Sequence, residues 1–183
     1  VDRLERSLAP QDGSNTLSVK LRSKPGGILL VQVFGSLSLN LPPDPGEAGD
    51  AALEGVDVNG NGVRDDIERW IGLTYPDSQK TRLALTQFYY PMQGFIVDAD
   101  REDRDAVYDD MTALQRAGEC INAVFGNKGY EMRKELKAHV LNTTGRVRAY
   151  RQASRMLGGG SFPGKPFSEW KESCTFDPDV LDN

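Results

Sequence analysis

Residues 57–68 of this 183-residue chain read DVNGNGVRDDIE, and they decide how the rest of the sequence is interpreted. Oxygen-bearing side chains occupy alternate positions at Asp57, Asn59 and Asn61, and Gly62 permits a sharp turn at the sixth position. Three acids follow within the next six residues, where the positive end of a helix favours negative charge. The stretch therefore predicts a cation-binding loop that leads directly into a helix.

The predicted cation is Ca²⁺, because calcium takes six to eight hard oxygen ligands in a flexible geometry. The residues fill every position of the calcium-loop pattern D-x-[DN]-x-[DN]-G-x5-E. The predicted ligands are Asp57, Asn59, Asn61, the carbonyl of Val63, Asp65 (directly or through water) and Glu68. The alternative is a tight turn followed by a capped helix, but a turn does not require acids at ligand spacing.

The stretch resembles an EF-hand loop, and more closely the single calcium loops of dockerin-like and thrombospondin type 3-like bacterial extracytoplasmic proteins. This resemblance covers residues 57–68 alone and implies a calcium site without implying an activity. Residues 50–56 are too few for an entering helix, and Arg64 stands where paired EF-hands usually have an apolar residue. Both departures favour a lone structural site over a paired regulatory sensor.

The composition of the loop also predicts where the protein works. Three acids and two neutral amides give modest affinity, and a weak site fills only where calcium is near millimolar, outside the cytoplasm. We therefore expect a periplasmic or secreted protein.

The two cysteines, Cys120 and Cys174, agree with that location if they are bridged. A disulfide closing so long a loop contributes roughly 4 kcal/mol in the chain-entropy model. The bridge is favoured because Cys174 lies in a Gly/Pro-rich tail with little else to hold it. Two reduced, buried cysteines are the alternative.

Beyond the loop, apolar residues recur at helical spacing in five segments. The first contains Ile67, Trp70 and Ile71, and the second spans Leu83 to Met92 with Pro91 as a kink or restart. The third runs from Val107 to Phe125, the fourth runs from Tyr130 to Leu141, and the fifth begins after Thr143-Thr144 and runs through Leu157. The tail, with Phe162, Phe167 and Trp170, is expected to pack back onto these helices.

Before the loop, the sequence has strand character. Apolar residues alternate over 17–21 and 29–41 around Pro25-Gly26-Gly27, which predicts a β-hairpin over residues 16–43. The alternative is a secretory signal over residues 20–39, because an apolar run there follows basic residues. Residues 1–15 are polar and are expected to be poorly ordered or not native.

The predicted fold class is mainly α: a small helical domain of about five helices over residues 44–183, with an EF-hand-like calcium loop and an N-terminal β-hairpin. At 38% hydrophobic residues, the chain can build one ordinary core. No stretch reaches the roughly 18 apolar residues of a membrane-spanning helix, so no membrane span is expected.

The charge distribution argues against nucleic acid as a partner, because the net charge is −5 and phosphate binding needs excess Lys and Arg. The late part of the chain is nevertheless basic. Arg146, Arg148, Arg151 and Arg155 form a stripe on the fifth predicted helix. The stripe is a solvated face, an internal partner for the acidic half, or a contact surface for an anionic partner.

Other candidate chemistry is weak. Residues 98–105 carry alternating acids without the loop glycine, which is typical of an acid-rich helix start and leaves a second metal site as the alternative. His139 is the only histidine, and phosphate loops, nucleophile elbows and zinc spacings are absent from the sequence.

We therefore expect an extracytoplasmic calcium-binding protein that acts as a non-catalytic protein-binding or inhibitor-like module, with an unidentified protein partner. Whether it is an enzyme stays open, because acids are plentiful. A carboxylate-based or metal-assisted hydrolase and a purely structural module of a larger assembly are the alternatives.

Overall fold

The computed structural model describes residues 40–181, together with the backbone of two short strands, β1 (Arg6–Ser7) and β2 (Ser18–Val19). These strands pair in antiparallel fashion. The predicted hairpin over 16–43, the signal-like alternative over 20–39 and the predicted poorly ordered segment 1–15 lie almost wholly outside the described residues.

The described part of the chain is mainly helical, as predicted. It contains α1 (Asp65–Thr74), α2 (Gln79–Asp100), α3 (Arg104–Phe125), α4 (Asn127–Val140) and α5 (Thr144–Met156), with 3-10 helices at Gly46–Asp50 and Phe167–Ser173. The prediction that a new helix starts at Pro91 is wrong, because α2 continues through Pro91 without a break.

Side-chain caps set the starts of three helices. Ser78, Asp103 and Thr143 each accept a hydrogen bond from the backbone amide three residues later, at 3.1, 3.0 and 3.2 Å. Such caps satisfy amides that have no partner within the helix. They explain why α2, α3 and α5 begin where they do.

The connection between α3 and α4 is shorter than the sequence predicted. Gly126, with φ of 56°, both ends α3 and precedes α4, which therefore begins at Asn127 and not at Tyr130. A Cβ atom at Gly129 would lie 2.7 Å from the side chain of Ile121, so glycine permits the two helices to approach closely.

The core lies between the five helices, with α2 at its centre and most extensively packed against α3. Its largest fully buried apolar side chains include Tyr89, Phe95, Ile121 and Leu136. Burial raises the pKa of Tyr89 to about 12, so its hydroxyl stays protonated and accepts a hydrogen bond from the amide of Arg64. Within residues 40–181, no helix has the length and apolar character needed to cross a membrane.

The C-terminal tail is fastened to α3 at two adjacent residues. The sulfur atoms of Cys120 and Cys174 lie 2.04 Å apart, at disulfide distance, as predicted. The tail packs on α3 through its 3-10 helix, although Phe167 is 75% exposed and contributes little burial.

Glu119 is the second fastening point and is buried beside the disulfide. Its carboxylate accepts hydrogen bonds from Arg116, from the Ser173 hydroxyl at 2.8 Å and from the Lys165 amide at 2.9 Å. Burial would raise the pKa of Glu119, but these donors outweigh it and the pKa is lowered. The tail is thus held by a charged group as well as by the cysteine pair.

Candidate metal site

The loop before α1 is closed by hydrogen bonds from its own backbone to Asp57. One carboxylate oxygen accepts from the amides of Gly60 and Asn61 at 2.9 and 3.2 Å, and the other accepts from Gly62 at 2.8 Å. Gly60 and Gly62 have φ of 68° and 80°, which favours glycine at both positions. The loop backbone therefore folds around the carboxylate of Asp57.

Asn59, Asn61 and Glu68 meet at one place in the loop. The side-chain amides of Asn59 and Asn61 lie 3.1 and 2.9 Å from Oε2 of Glu68. Their amide oxygens accept the backbone N–H groups of Asn61 and Val63, at 3.1 and 2.8 Å. Because each amide oxygen has two lone pairs, each retains one for a further ligand.

Asp65 supports the loop from inside and is fully buried. Its two carboxylate oxygens lie 3.1 and 3.4 Å from one donor, the amide of Val58, and its own amide donates to the carbonyl of Val56. No other donor to this carboxylate is found among the described residues. A buried carboxyl group with one donor has few compensating contacts, so a nearby cation would stabilise it.

Contacts with the core hold the loop in place. The hydroxyl of Tyr90 donates to the carbonyl of Asn61 at 3.0 Å, and a Cβ atom at Gly62 would lie 3.1 Å from the Tyr90 ring. The side chain of Val63 is buried in the main core cluster. The backbone that carries the predicted carbonyl ligand is therefore anchored to α2 and the core.

The donor set restricts which cation fits. Nowhere in residues 40–181 do three His, Cys, Asp or Glu side chains come together as a metal site. The loop instead combines the carboxylates of Asp57 and Glu68 with two neutral amides. Hard cations with loose geometry, such as Ca²⁺, accept such oxygen sets, whereas zinc and copper prefer His and Cys. The types of donor in this loop are therefore those that Ca²⁺ accepts.

Arg64, inside the loop, has a structural role that the sequence did not reveal. Its side chain is only 1% exposed and pairs with Asp66, with Nε–Oδ1 at 2.9 Å. Its guanidinium also donates to the carbonyl of Val140 at 3.1 Å. Arg64 thus connects the loop to the C-terminal end of α4.

The prediction that Arg146 could bind a partner as part of the basic stripe is wrong, because its side chain is fully buried. It donates to the carbonyls of Gly49, Ala52 and Leu53 and to the side chains of Asp50 and Asn142. Burial, together with the nearby charge of Arg64, lowers the pKa of Arg146. It therefore fastens the segment before the loop and is not available to a partner.

The other three stripe residues, Arg148, Arg151 and Arg155, are exposed on α5. None of them has an ion pair or side-chain hydrogen bond within residues 40–181. His139 is also exposed, and its ring lies 4.3 Å from that of Trp70. The structure thus keeps a three-arginine surface and gives the only histidine a packing contact.

The acidic segment 98–105 behaves mainly as a helix boundary, since Asp103 caps α3. Asp98, however, faces Asp110 across the contact between α2 and α3. Burial, and then the charge of Asp98, raise the pKa of Asp110 to about 7. Oδ2 of Asp110 is buried without a hydrogen-bond partner in the described residues. This pair could not be predicted from local sequence patterns, because the packing of α2 against α3 creates it.

We expect Asp110→Asn to stabilise the protein at pH 8 and to have little effect near pH 4. The native state holds a proton on Asp110 that the unfolded chain releases above its ordinary pKa of 3.8, so wild-type stability falls between about pH 4 and pH 7. Allowing for partial exposure, the gain at pH 8 is about 1–2 kcal/mol. Urea unfolding across this pH range measures it.

Asp105→Asn is the matched control, because that carboxylate is exposed on the same helix and is not among the charges that raise the pKa of Asp110. It should leave the pH profile nearly unchanged. A loss of stability in Asp110→Asn at pH 8 would contradict the assignment.

Comparisons of the chain with known proteins find no matching protein-family model, no matching curated protein and no matching solved structure. Function is therefore inferred from the chemistry of the chain's own residues.

Proposed function

We propose that this chain is an extracytoplasmic calcium-binding protein whose EF-hand-like loop stabilises a helical, non-catalytic protein-binding module. The observation that carries the proposal is the meeting of Asn59, Asn61 and Glu68 in a loop that Asp57 closes. These side chains come from both sides of the turn, so one bound cation would join the loop to the first turn of α1.

The proposed ligands are Asp57, Asn59, Asn61, the Val63 carbonyl, Asp65 and Glu68. Ca²⁺ would supply positive charge to a loop whose proposed ligands include three carboxylates, which the described structure does not bring together as a group. Asp57 and Glu68 would gain a shared counter-ion, and the buried charge of Asp65 would be offset. The role is structural, because Val63 packs in the core and Tyr90 of α2 donates a hydrogen bond to the loop.

The proposed location follows from affinity. A site with two neutral amides is expected to bind in the weak range of extracellular calcium modules, about 10⁻⁴ to 10⁻³ M. The cysteine pair at disulfide distance supports an oxidising compartment. Both features favour the periplasm or the exterior of the cell.

Thermal unfolding in chelator and in calcium tests this proposal. At a calcium concentration ten times the dissociation constant, the native state gains about 1.4 kcal/mol. For a domain of this size, we expect the unfolding temperature to rise by about 3–6 °C. Glu68→Gln should lose most of this rise, because it removes the carboxylate on which both asparagines converge.

Glu131→Gln provides the control, since this exposed glutamate on α4 lies outside the loop and makes only a surface ion pair with Lys134. Its calcium response should equal that of the wild type. The proposed site would be contradicted if millimolar calcium did not change the unfolding temperature. It would also be contradicted if Glu68→Gln responded to calcium as the wild type does.

The proposed contact surface for a partner is the exposed face formed by Arg148, Arg151 and Arg155. Three guanidinium groups on one helix, none of them in an ion pair within residues 40–181, favour an acidic partner surface, because charge complementarity steers association. Arg146 is excluded from this surface by its burial.

The carboxylate-based hydrolase is not favoured by the described residues. The strongest acid pair, Asp98 and Asp110, lies in the contact between α2 and α3, and neither residue lines the main pocket. The purely structural module stays an alternative that a failure to find any partner would favour.

A further inference from the structure

A pocket with a volume of about 580 Å³ lies on the opposite side of α2 from the calcium loop's attachment, between α2, α3, α4, α5 and the tail. Its apolar wall includes Phe88, Phe95, Leu114 and Leu157, and Trp170 of the tail lies at its edge. Small-molecule sites typically have volumes of about 300–1,000 Å³ and apolar walls with a few polar groups. The pocket has the size and lining of such a site.

Two cations of α4 also line this pocket, Arg133 and Lys137. Neither makes an ion pair with a carboxylate within residues 40–181. Arg133 donates to Oδ1 of Asn122 at 3.1 Å, while its Nε is buried without a partner in that part of the chain. Lys137 donates to the Tyr150 hydroxyl at 2.7 Å. The pocket therefore holds two positive charges without a counter-ion.

The acid that lines the pocket cannot neutralise them, because Glu119 is already engaged. Its oxygens accept from Arg116, the Lys165 amide and Ser173. The third cation at the pocket, Lys165, has an exposed partner in Glu172 at 3.5 Å. The charge of Glu119 is therefore already paired with these donors, and the side of the pocket formed by α4 stays positive.

Gly118 gives Arg133 its position. A Cβ atom at Gly118 would lie 2.7 Å from Nη1 of Arg133, so the guanidinium rests directly on the backbone of α3. Glycine in a helix interior is less favourable than alanine. At this position, glycine allows a planar, partly buried guanidinium to lie against an apolar pocket. Burial also lowers the pKa of Arg133, as expected for a charge without a counter-ion.

We propose that this pocket binds an amphipathic carboxylate, with the carboxylate held by Arg133 and Lys137 and an aliphatic or aromatic body among Phe88, Phe95 and Leu114. A guanidinium matches a carboxylate with two parallel hydrogen bonds. The bound anion would neutralise the positive side chains of α4 through their accessible nitrogen atoms, while the apolar body would remove water from the aromatic surface. This inference does not depend on the calcium loop.

Binding of octanoate, followed through the fluorescence of Trp170 in a Trp70→Phe background, tests the proposal. Trp170 is suited to report because it lines the pocket and its indole N–H is fixed on the Lys165 carbonyl at 2.9 Å. We expect a saturable change with octanoate and at least ten-fold weaker binding of octan-1-ol, which has the same chain without the charge.

Arg133→Met should weaken octanoate binding at least ten-fold and leave octan-1-ol binding unchanged. Lys134→Met, on the exposed face of the same helix, is the matched control and should bind octanoate like the wild type. Gly118→Ala offers a second variant that displaces the guanidinium while keeping its charge, and it should also weaken octanoate binding. Folding of each variant is checked by circular dichroism.

Equal binding of octanoate and octan-1-ol would overturn the proposal, since the pocket would then be merely apolar. The same conclusion would follow if octanoate caused no change, or if folded Arg133→Met bound octanoate as tightly as the wild type.

Discussion

Replacing Arg146 by methionine is expected to lower the free energy of unfolding by about 3–5 kcal/mol. Methionine fills much of the volume but cannot donate hydrogen bonds. The carbonyls of Gly49 and Ala52, which accept from Nη2 at 2.6 and 2.9 Å, would lose their donor. The carboxylate of Asp50 would lose its ion-pair partner at 3.2 Å. Urea unfolding measures the loss.

Arg148→Met makes the same chemical change two residues away, on the exposed face of α5. Surface substitutions of this kind usually change stability by less than about 0.5 kcal/mol. A large difference between the two variants would support a structural role for Arg146. Equal, small effects would show that the segment before the calcium loop does not depend on this arginine.

Replacing both Cys120 and Cys174 by serine is expected to lower the free energy of unfolding by about 4 kcal/mol in the chain-entropy model. The two residues are 54 positions apart, so the bridge closes a long loop in the unfolded chain. Urea unfolding of the oxidised wild type and the double variant measures the difference.

A reductant supplies the control for this experiment. It should bring the wild type to the stability of the double variant and leave the variant itself unchanged. The prediction fails if the double variant lies within about 1 kcal/mol of the oxidised wild type, a difference typical of any single substitution.

Much of the helical architecture could be predicted because its determinants are local. The apolar period from Val107 to Phe125 matches α3, which ends at Phe125. The polar residue Thr143 caps α5 as its position before that helix indicates. The predicted start of α4 at Tyr130 is wrong by three residues, because in the structure Gly126 joins α3 directly to α4.

The metal site could be proposed from the sequence for the same reason, since all its proposed ligands fall within residues 57–68. The burial of Arg64 and Arg146 could not be predicted from the sequence. A charged residue is expected at the surface unless it is paired, and the partners of Arg146 include carbonyls more than 90 positions away in the sequence. The positive pocket likewise depends on how α4 packs against α2 and α3.

Together, the two arginines explain how a short loop can be tied to a helical core. Gly55 lies between them, because a Cβ atom there would come 2.8 Å from Arg64 Cδ and 3.0 Å from Arg146 Nη2. With φ of 70°, this glycine also adopts a conformation that other residues rarely accept. The segment entering the loop is thus fixed by packing and hydrogen bonds in place of an entering helix.

Calorimetric titration of chelator-treated protein with calcium chloride tests the central claim most directly. Binding of one ion per chain is expected, with a dissociation constant of about 10⁻⁴ to 10⁻³ M, and the heat should disappear in Glu68→Gln while persisting in Glu131→Gln. A wild-type protein that gives no binding heat through the millimolar range, or a Glu68→Gln variant with an unchanged isotherm, would contradict the account.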